Sequence, residues 1–175
     1  MFKLMSEKEY SWKIVVIGDY AVGKTSLLHV FTEEKFEKSY KPTLGVDILI
    51  HFLEHDNFKV KIVFWDIAGQ ILFSQLRKNF FSGSEGVLIV FDLSRRESFE
   101  NLKHWINELN TKAKFIKERI LIGNKNDLTR EISTEEAKEF ASKFGLTYIE
   151  TSAKTGDNVD KAFHDIINNL TEKHT

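Results

Sequence analysis

The sequence contains no cysteine and a single proline, Pro42. Without thiols there is no disulfide, no thiolate metal site, no thiol nucleophile and no residue for prenylation or palmitoylation on the sequence given. Long apolar runs are missing too. Ile14–Ile17 and Val87–Phe91 are far too short to span a bilayer. The N-terminus, Met1-Phe2-Lys3-Leu4-Met5-Ser6-Glu7-Lys8-Glu9, is mixed and charged and lacks the apolar stretch of a signal peptide. Neither sign of charge is in excess: 25 Lys and Arg face 26 Asp and Glu, a net −1. That balance offers nothing to hold nucleic acid or an anionic membrane, so any bound anion requires a local site. The expectation is a cytoplasmic protein. With 175 residues, 42% hydrophobic and 29% charged, the chain has the composition of one folded domain.

Two periodicities alternate along the chain. Lys13–Ile17, Val87–Phe91 and Ile120–Ile122 are short β-branched runs that read as buried strands. Val46–Glu54 and Phe58–Trp65 read as strands joined in a hairpin at His55-Asp56-Asn57, and Thr147–Glu150 as a last strand. Gly23–Phe31 reads as a helix. Helical spacing recurs in Phe99, Leu102, Trp105, Ile106 and Leu109, and again in Val159, Ala162, Phe163, Ile166, Ile167 and Leu170. Ser133-Thr134-Glu135-Glu136 fits a capping box ahead of Ala137, Phe140, Ala141 and Phe144. Strands alternating with helices predict a three-layer α/β domain. The expected sheet has six strands, mostly parallel with one antiparallel edge strand, and about five helices cover it. Such sheets bind ligands at the carboxyl ends of their strands.

Directly after the first strand stands Gly18-Asp19-Tyr20-Ala21-Val22-Gly23-Lys24-Thr25, which is G-x-x-x-x-G-K-T between a strand and a helix. Backbone N–H groups of such a loop cradle phosphate oxygens, and the following helix adds its positive end. Lys24 supplies a full charge for the terminal phosphates and Thr25 a hydroxyl for Mg²⁺. A chance match in a glycine-containing turn is the competing reading. The run Asn124-Lys125-Asn126-Asp127 follows a later strand. A carboxylate there can accept both N1–H and the exocyclic amine of guanine, a donor pair adenine does not offer. Alone it is equally a polar turn. Thr151-Ser152-Ala153-Lys154 at the next strand end carries a backbone N–H that can serve guanine O6, and two such loops together favour guanine. If Asn124–Asp127 is coincidental, an ATP-dependent kinase or ATPase is the reading that remains. Asp66-Ile67-Ala68-Gly69-Gln70 puts a carboxylate where it can hold Mg²⁺ through water. Its glycine suits close approach to a γ-phosphate, and its glutamine can orient a water. Lys41-Pro42-Thr43 offers a second hydroxyl for Mg²⁺. Both segments also read as a plain strand exit and an ordinary turn.

These segments, GDYAVGKT, Thr43, DIAGQ, NKND and TSAK, in this order from Lys13 to Leu170, resemble the Ras-like small GTPases. Within that superfamily Leu44-Gly45-Val46-Asp47-Ile48, Lys61–Trp65, Phe80-Phe81-Ser82-Gly83 and Ile89–Asp92 are similar to Rab-type stretches. The resemblance implies a G domain over 11–172 after an N-terminal extension at 1–10. It also implies GTP or GDP and Mg²⁺ as ligands and a switch that hydrolyses GTP. Ala21, Val22, Gly23, Lys24, Thr25 and Ser26 would wrap the phosphates, with Tyr20 beside them. Thr25, Thr43 and Asp66 would hold Mg²⁺. Phe36 would pack on guanine, which Asn124, Lys125, Asp127 and Leu128 would read with Ser152, Ala153 and Lys154. Gly69 would meet the γ-phosphate, and Gln70 would act with Lys24 in hydrolysis. Phe36–Val46 and Asp66–Phe81 would be the two switches. Effectors would meet them and an apolar triad of Ile48, Trp65 and Phe80, and an exchange factor and a GTPase-activating protein would be further partners. A monomer is expected, with a trafficking role, no nucleic-acid partner and no direct membrane anchor.

Several residues depart from the family pattern. Tyr20 stands where a small residue is common, close to where an activator's arginine would approach. It either hinders that arginine or swings into solvent. Ile71 replaces a common glutamate and, with Leu72 and Phe73, either favours a partner or changes how Gln70 is held. No arginine finger is evident in cis, so unaided turnover is expected on the order of 10⁻⁴ to 10⁻² per second. A GTP-binding interaction module with negligible turnover is the alternative. The chain stops at Thr175 without prenylated cysteines, so membrane association is expected only with a lipidated tail beyond it. Trp65 shares a strand face with Lys59, Lys61 and Val63 and is either a partner-facing anchor or covered by its own chain. The pattern of Val46–Glu54 leaves the direction of Ile48 open. The six histidines lack zinc-like spacing, and Lys112–Arg119 reads as a solvated helix end.

Overall fold

The computed structural model describes residues 8–32, 46–55, 58–67 and 74–173. Among the described residues six strands form one sheet in the order β2-β3-β1-β4-β5-β6. They are β1 (Lys8–Gly18), β2 (Val46–His55), β3 (Phe58–Ile67), β4 (Gly86–Asp92), β5 (Glu118–Asn124) and β6 (Thr147–Glu150). β2 and β3 pair antiparallel and every other pair is parallel. The helices are α1 (Lys24–Phe31), α2 (Ser74–Phe81), α3 (Arg96–Glu100), α4 (Leu102–Lys112), α5 (Thr134–Lys143) and α6 (Val159–Glu172). Only Asn101 separates α3 from α4, so the two carry one apolar stripe. This is the expected three-layer α/β architecture. No helix among the described residues is long and apolar enough to cross a membrane.

Alternation along β1 sorts the core into two layers. Trp12, Ile14 and Val16 face α1 and α6 with Leu27, Leu28, Phe64, Phe163 and Ile166. Val15 and Ile17 face the opposite layer with Phe91, Leu102, Trp105, Ile106 and Ala137. β4 is buried along its whole length, as a central parallel strand covered on both faces must be. A Cβ on its Gly86 would meet Ile166 Cδ1 at 2.8 Å, so the Ile166 side chain would have to shift to admit one. Half of the expected capping box forms: Ser133 Oγ accepts from the Glu136 N–H at 3.1 Å and opens α5, while the Glu136 carboxylate pairs with Arg96.

Two elements differ from the sequence reading. β1 starts at Lys8, not Lys13, and pairs with β3 from Lys8↔Phe58 onward. Its first half is polar or half-buried, so apolar periodicity does not reveal it; Tyr10 and Trp12 stack there with centroids 5.5 Å apart. α2 falls within the expected second switch, where the sequence pattern marks no helix. Beside the fully buried Phe81 it carries a buried arginine, Arg77, 1% exposed, which no apolar pattern marks.

Parallel pairing brings the carboxyl ends of β1, β3, β4, β5 and β6 to one edge. Val16 registers with Asp66, Gly18 with Val90, and Asp92 with Asn124. Gly18, Asp66, Asp92, Asn124 and Thr151 therefore stand along one rim.

Candidate functional site

β1 gives way to its loop at Gly18, whose φ of +146° and close approach to the Val90 carbonyl exclude a side chain. Ala21 (φ 60°) and Gly23 (φ 99°) also take left-handed conformations before α1 begins at Lys24. A Cβ on Gly23 would collide with Asn124 Nδ2. Lys24 turns back over the loop. Its Nζ donates to the main-chain oxygens of Gly18 at 3.1 Å and Asp19 at 2.8 Å. The Thr25 hydroxyl donates to an Asp66 carboxylate oxygen at the end of β3.

Both charged groups are buried. Burial lowers the Lys24 pKa, and Arg95 adds to that, against support from Asp66 and Asp19. Burial raises the Asp66 pKa against the Thr25 hydrogen bond and the Lys24 charge, with Asp47 adding to the rise. A buried ammonium, a buried carboxylate and a hydroxyl on a helix N-terminus form a site built for phosphate and a hard divalent cation. The oxygen donors of Thr25 and Asp66 fit Mg²⁺.

Asn124 joins this loop to its neighbours. Its Nδ2 donates to Val22 O at 2.9 Å, while Oδ1 accepts from Thr151 Oγ1 at 3.0 Å and from the Ala153 N–H at 3.2 Å. Lys125 takes a left-handed conformation (φ 65°), pairs with Asp92 at 2.6 Å and donates to Ala21 O at 2.9 Å. Burial works against the Asp92 carboxylate, but Lys125 and two hydrogen bonds from Ser94 outweigh it and hold its pKa down. Asp127 accepts from Ser152 Oγ at 2.6 Å. Beside these loops lies a cavity of about 310 Å³ lined by Gly23, Ser26, Asn124, Lys125, Asp127, Leu128, Ala153 and Lys154.

The described site residues from Tyr20 to Ser26, Asp66, Asn124 to Leu128 and Ser152 to Lys154 thus meet on one rim. Phe36, Thr43, Gly69 and Gln70 lie outside the described residues, as do Ile71, Leu72 and Phe73. Away from the nucleotide rim, Ile48 registers with Trp65, so its side chain lies on the Trp65 face. Phe80 stands 6.1 Å from Trp65. All three are half-buried against one core layer. Lys13 Nζ caps the Trp65 ring at 3.7 Å.

Sequence reasoning missed three participants. In the sequence Asp92 stands out only as part of the family-like stretch Ile89–Asp92. Asp19, an unassigned position of the loop motif, accepts from Asn101 Nδ2 at 2.6 Å and Trp105 Nε1 at 2.8 Å. Arg95 Nη2 donates to Tyr20 O at 2.6 Å. Nothing local in the sequence signals these last three hydrogen bonds, which span 75 residues or more.

The fold and rim define a phosphate-loop nucleotide-binding domain. The sequence pattern of the Ras family matches residues 13–172. The Ras-related protein RABD2b of Arabidopsis thaliana is 41% identical over 159 residues, covering 90% of this chain and 79% of its own. The GTP-binding protein YPTM2 of Zea mays is 41% identical over 159 residues, covering 90% and 78%. The Ras-related protein RABA5b of Arabidopsis thaliana is 42% identical over 172 residues, covering 95% and 79%. The chain belongs to the Ras family, as a Rab-like small GTPase that binds and hydrolyses GTP.

Proposed function

We propose that the chain is a GTP/GDP switch in membrane trafficking whose states are read by effectors and set by an exchange factor and an activating protein. The observation that carries the reading is the Asn124 side chain, which binds the phosphate loop through Val22 and the base loop through Ala153. One buried amide thereby sets the spacing between a polyphosphate and a purine. Asp127, held by Ser152, accepts from guanine, and the Ala153 N–H serves its O6. Lys125 lies along the ring, and Leu128 and Lys154 border it. Residues 20–26 wrap the phosphates. Phe36 covers the base.

Thr25, Thr43 and Asp66 would hold Mg²⁺, which would supply neutralising charge to the phosphates. Lys24 shares that task, Gly69 meets the γ-phosphate, and Gln70 orients the attacking water. Catalysis is positioning plus fixed charge. Effectors dock on the switches and on the Ile48–Trp65–Phe80 face. The active unit is a monomer in the cytoplasm.

Identifying the nucleotide that co-purifies with the chain tests the base. GDP should displace it at least a hundredfold better than ADP. Phosphate release at saturating Mg²⁺ and GTP should be slow and should fall further in Gln70→Leu. A preference for ADP sinks the guanine assignment, and a Gln70→Leu chain with unchanged release sinks the role of Gln70.

A further inference from the structure

One arginine at the phosphate loop has no place in the site as built so far. Arg95 caps the start of α3 with an extended backbone. It reaches across to the Tyr20 carbonyl with one N–H of Nη2. Its neighbours on this side of the sheet are neutralised. Arg96 pairs with Glu136, and Arg77 pairs with Glu108 at 2.7 Å. Arg95 takes part in none of the ion pairs among the described residues. Its Nε is buried without a hydrogen-bond partner.

A buried unpaired donor costs free energy and calls for a reason. The surroundings supply one. Arg95 and Lys24 place two positive charges against the same loop, Arg95 on the Tyr20 carbonyl and Lys24 on those of Gly18 and Asp19. The Arg95 charge disfavours that of Lys24, and an anion held by both would relieve the repulsion. The guanidinium fork is matched to phosphate oxygens. The bond to Tyr20 uses one of its five N–H groups, and both protons of Nη1 remain.

The loop at this point is also held still, since Asn101 and Trp105 grip the Asp19 carboxylate. A cation fixed on a fixed loop stabilises developing charge without reorganising. Tyr20 turns its ring outward, 72% exposed, and its carbonyl toward Arg95.

We propose that Arg95 is a polyphosphate-binding residue supplied by this chain itself, which takes an oxygen of the terminal phosphate that a nucleoside triphosphate has and a diphosphate lacks. This rests on the guanine-nucleotide reading above. In hydrolysis, water oxygen bonds to the γ-phosphorus and the bond to the β–γ bridging oxygen breaks, its electron pair staying on GDP. The proton of the water leaves to the released phosphate or to solvent. The Arg95 charge offsets the negative charge that grows as that bond breaks.

The test compares the wild-type chain with Arg95→Ala, Arg95→Lys and the already paired neighbour Arg96→Ala. Read out are Kd for GDP and for a non-hydrolysable GTP analogue, formation of the GDP–aluminium fluoride complex, and single-turnover phosphate release. Arg95→Ala should keep GDP affinity within about threefold. It should lose at least tenfold on the analogue and on phosphate release, and should fail to form the fluoride complex. Arg95→Lys, which keeps the charge without the fork, should fall between, and Arg96→Ala should match wild type. Equal losses for GDP and the analogue reduce Arg95 to a clamp on Tyr20 and overturn the proposal, as does no loss at all. If Arg95→Ala does not fold by thermal unfolding, Arg95→Lys decides by the same comparison. A wild-type chain that does not bind GDP overturns the guanine reading itself, and this assignment with it.

Discussion

Arg77 of α2 and Glu108 of α4 form an ion pair at 2.7 Å with both side chains almost wholly out of solvent, 1% and 4% exposed. Lys112 Nζ reaches the same carboxylate at 2.9 Å, and the Arg77 guanidinium lies 4.9 Å from the Trp105 ring centre. Trp105 in turn holds Asp19. α2 is thus anchored to the element that braces the phosphate loop. Removing one member of a buried pair leaves the other charge uncompensated. Arg77→Met should cost about 3 kcal/mol, the low end of that range because Lys112 still serves Glu108. Arg77→Met with Glu108→Leu should regain most of the loss. Urea unfolding at a fixed excess of GDP measures both; a single variant as stable as wild type would contradict the anchoring.

Acid should unfold the chain through three carboxylates that share a sign. Burial raises Asp92, Glu108 and Glu150, but their partners win in each case. These partners are Lys125 and Ser94 for Asp92, Arg77 and Lys112 for Glu108, and Arg130, Thr134 and Tyr148 for Glu150. Each folded pKa therefore lies below its unfolded value of about 3.9 for Asp or 4.3 for Glu. The unfolded chain takes up protons first as pH falls. The stability these groups contribute is whole above about pH 5 and is lost as pH drops through the folded values. Unfolding midpoints should fall steeply below about pH 4, and Glu108→Gln should flatten that fall. A slope unchanged in the variant removes Glu108 from the account.

Asn124→Ala should leave Val22 O, Thr151 Oγ1 and the Ala153 N–H without their partner, all in or beside the nucleotide rim. Unmade buried hydrogen bonds cost about 1–3 kcal/mol each. GDP dissociation, followed by displacement of a fluorescent analogue, should quicken by about ten- to a hundredfold, since about 1.4 kcal/mol is a factor of ten. Dissociation at the wild-type rate would show that the amide is not what spaces the loops.

Gly23→Ala should be worse for binding than for folding. The new methyl meets Asn124 Nδ2 at a φ of 99°, so it pushes on the amide that joins the loops as well as straining the backbone. GDP affinity measured by calorimetry should fall at least tenfold, more than the melting temperature of the GDP-free chain would suggest. Equal affinity would mean that the loop has slack.

Sequence alone determined the alternation of strands and helices, the hairpin edge and the loops at the strand ends, because burial writes itself into periodicity and phosphate binding into glycine spacing. Gly18, Gly23, Lys24, Asn124 and Asp127 were legible on those grounds. The polar half of β1 was not, since its pairing with β3 rests on backbone hydrogen bonds that leave no apolar signature. Nor was α2, which buries an arginine against a glutamate and a tryptophan on another helix. The direction of Ile48 became definite through its register with Trp65, because a residue's face depends on the strand beside it. Tertiary structure alone decided that Asp19 belongs to Asn101 and Trp105, and that Arg95 comes to rest on Tyr20. Contacts of that kind join side chains from separate elements, and only the packed sheet brings those elements within reach of one another.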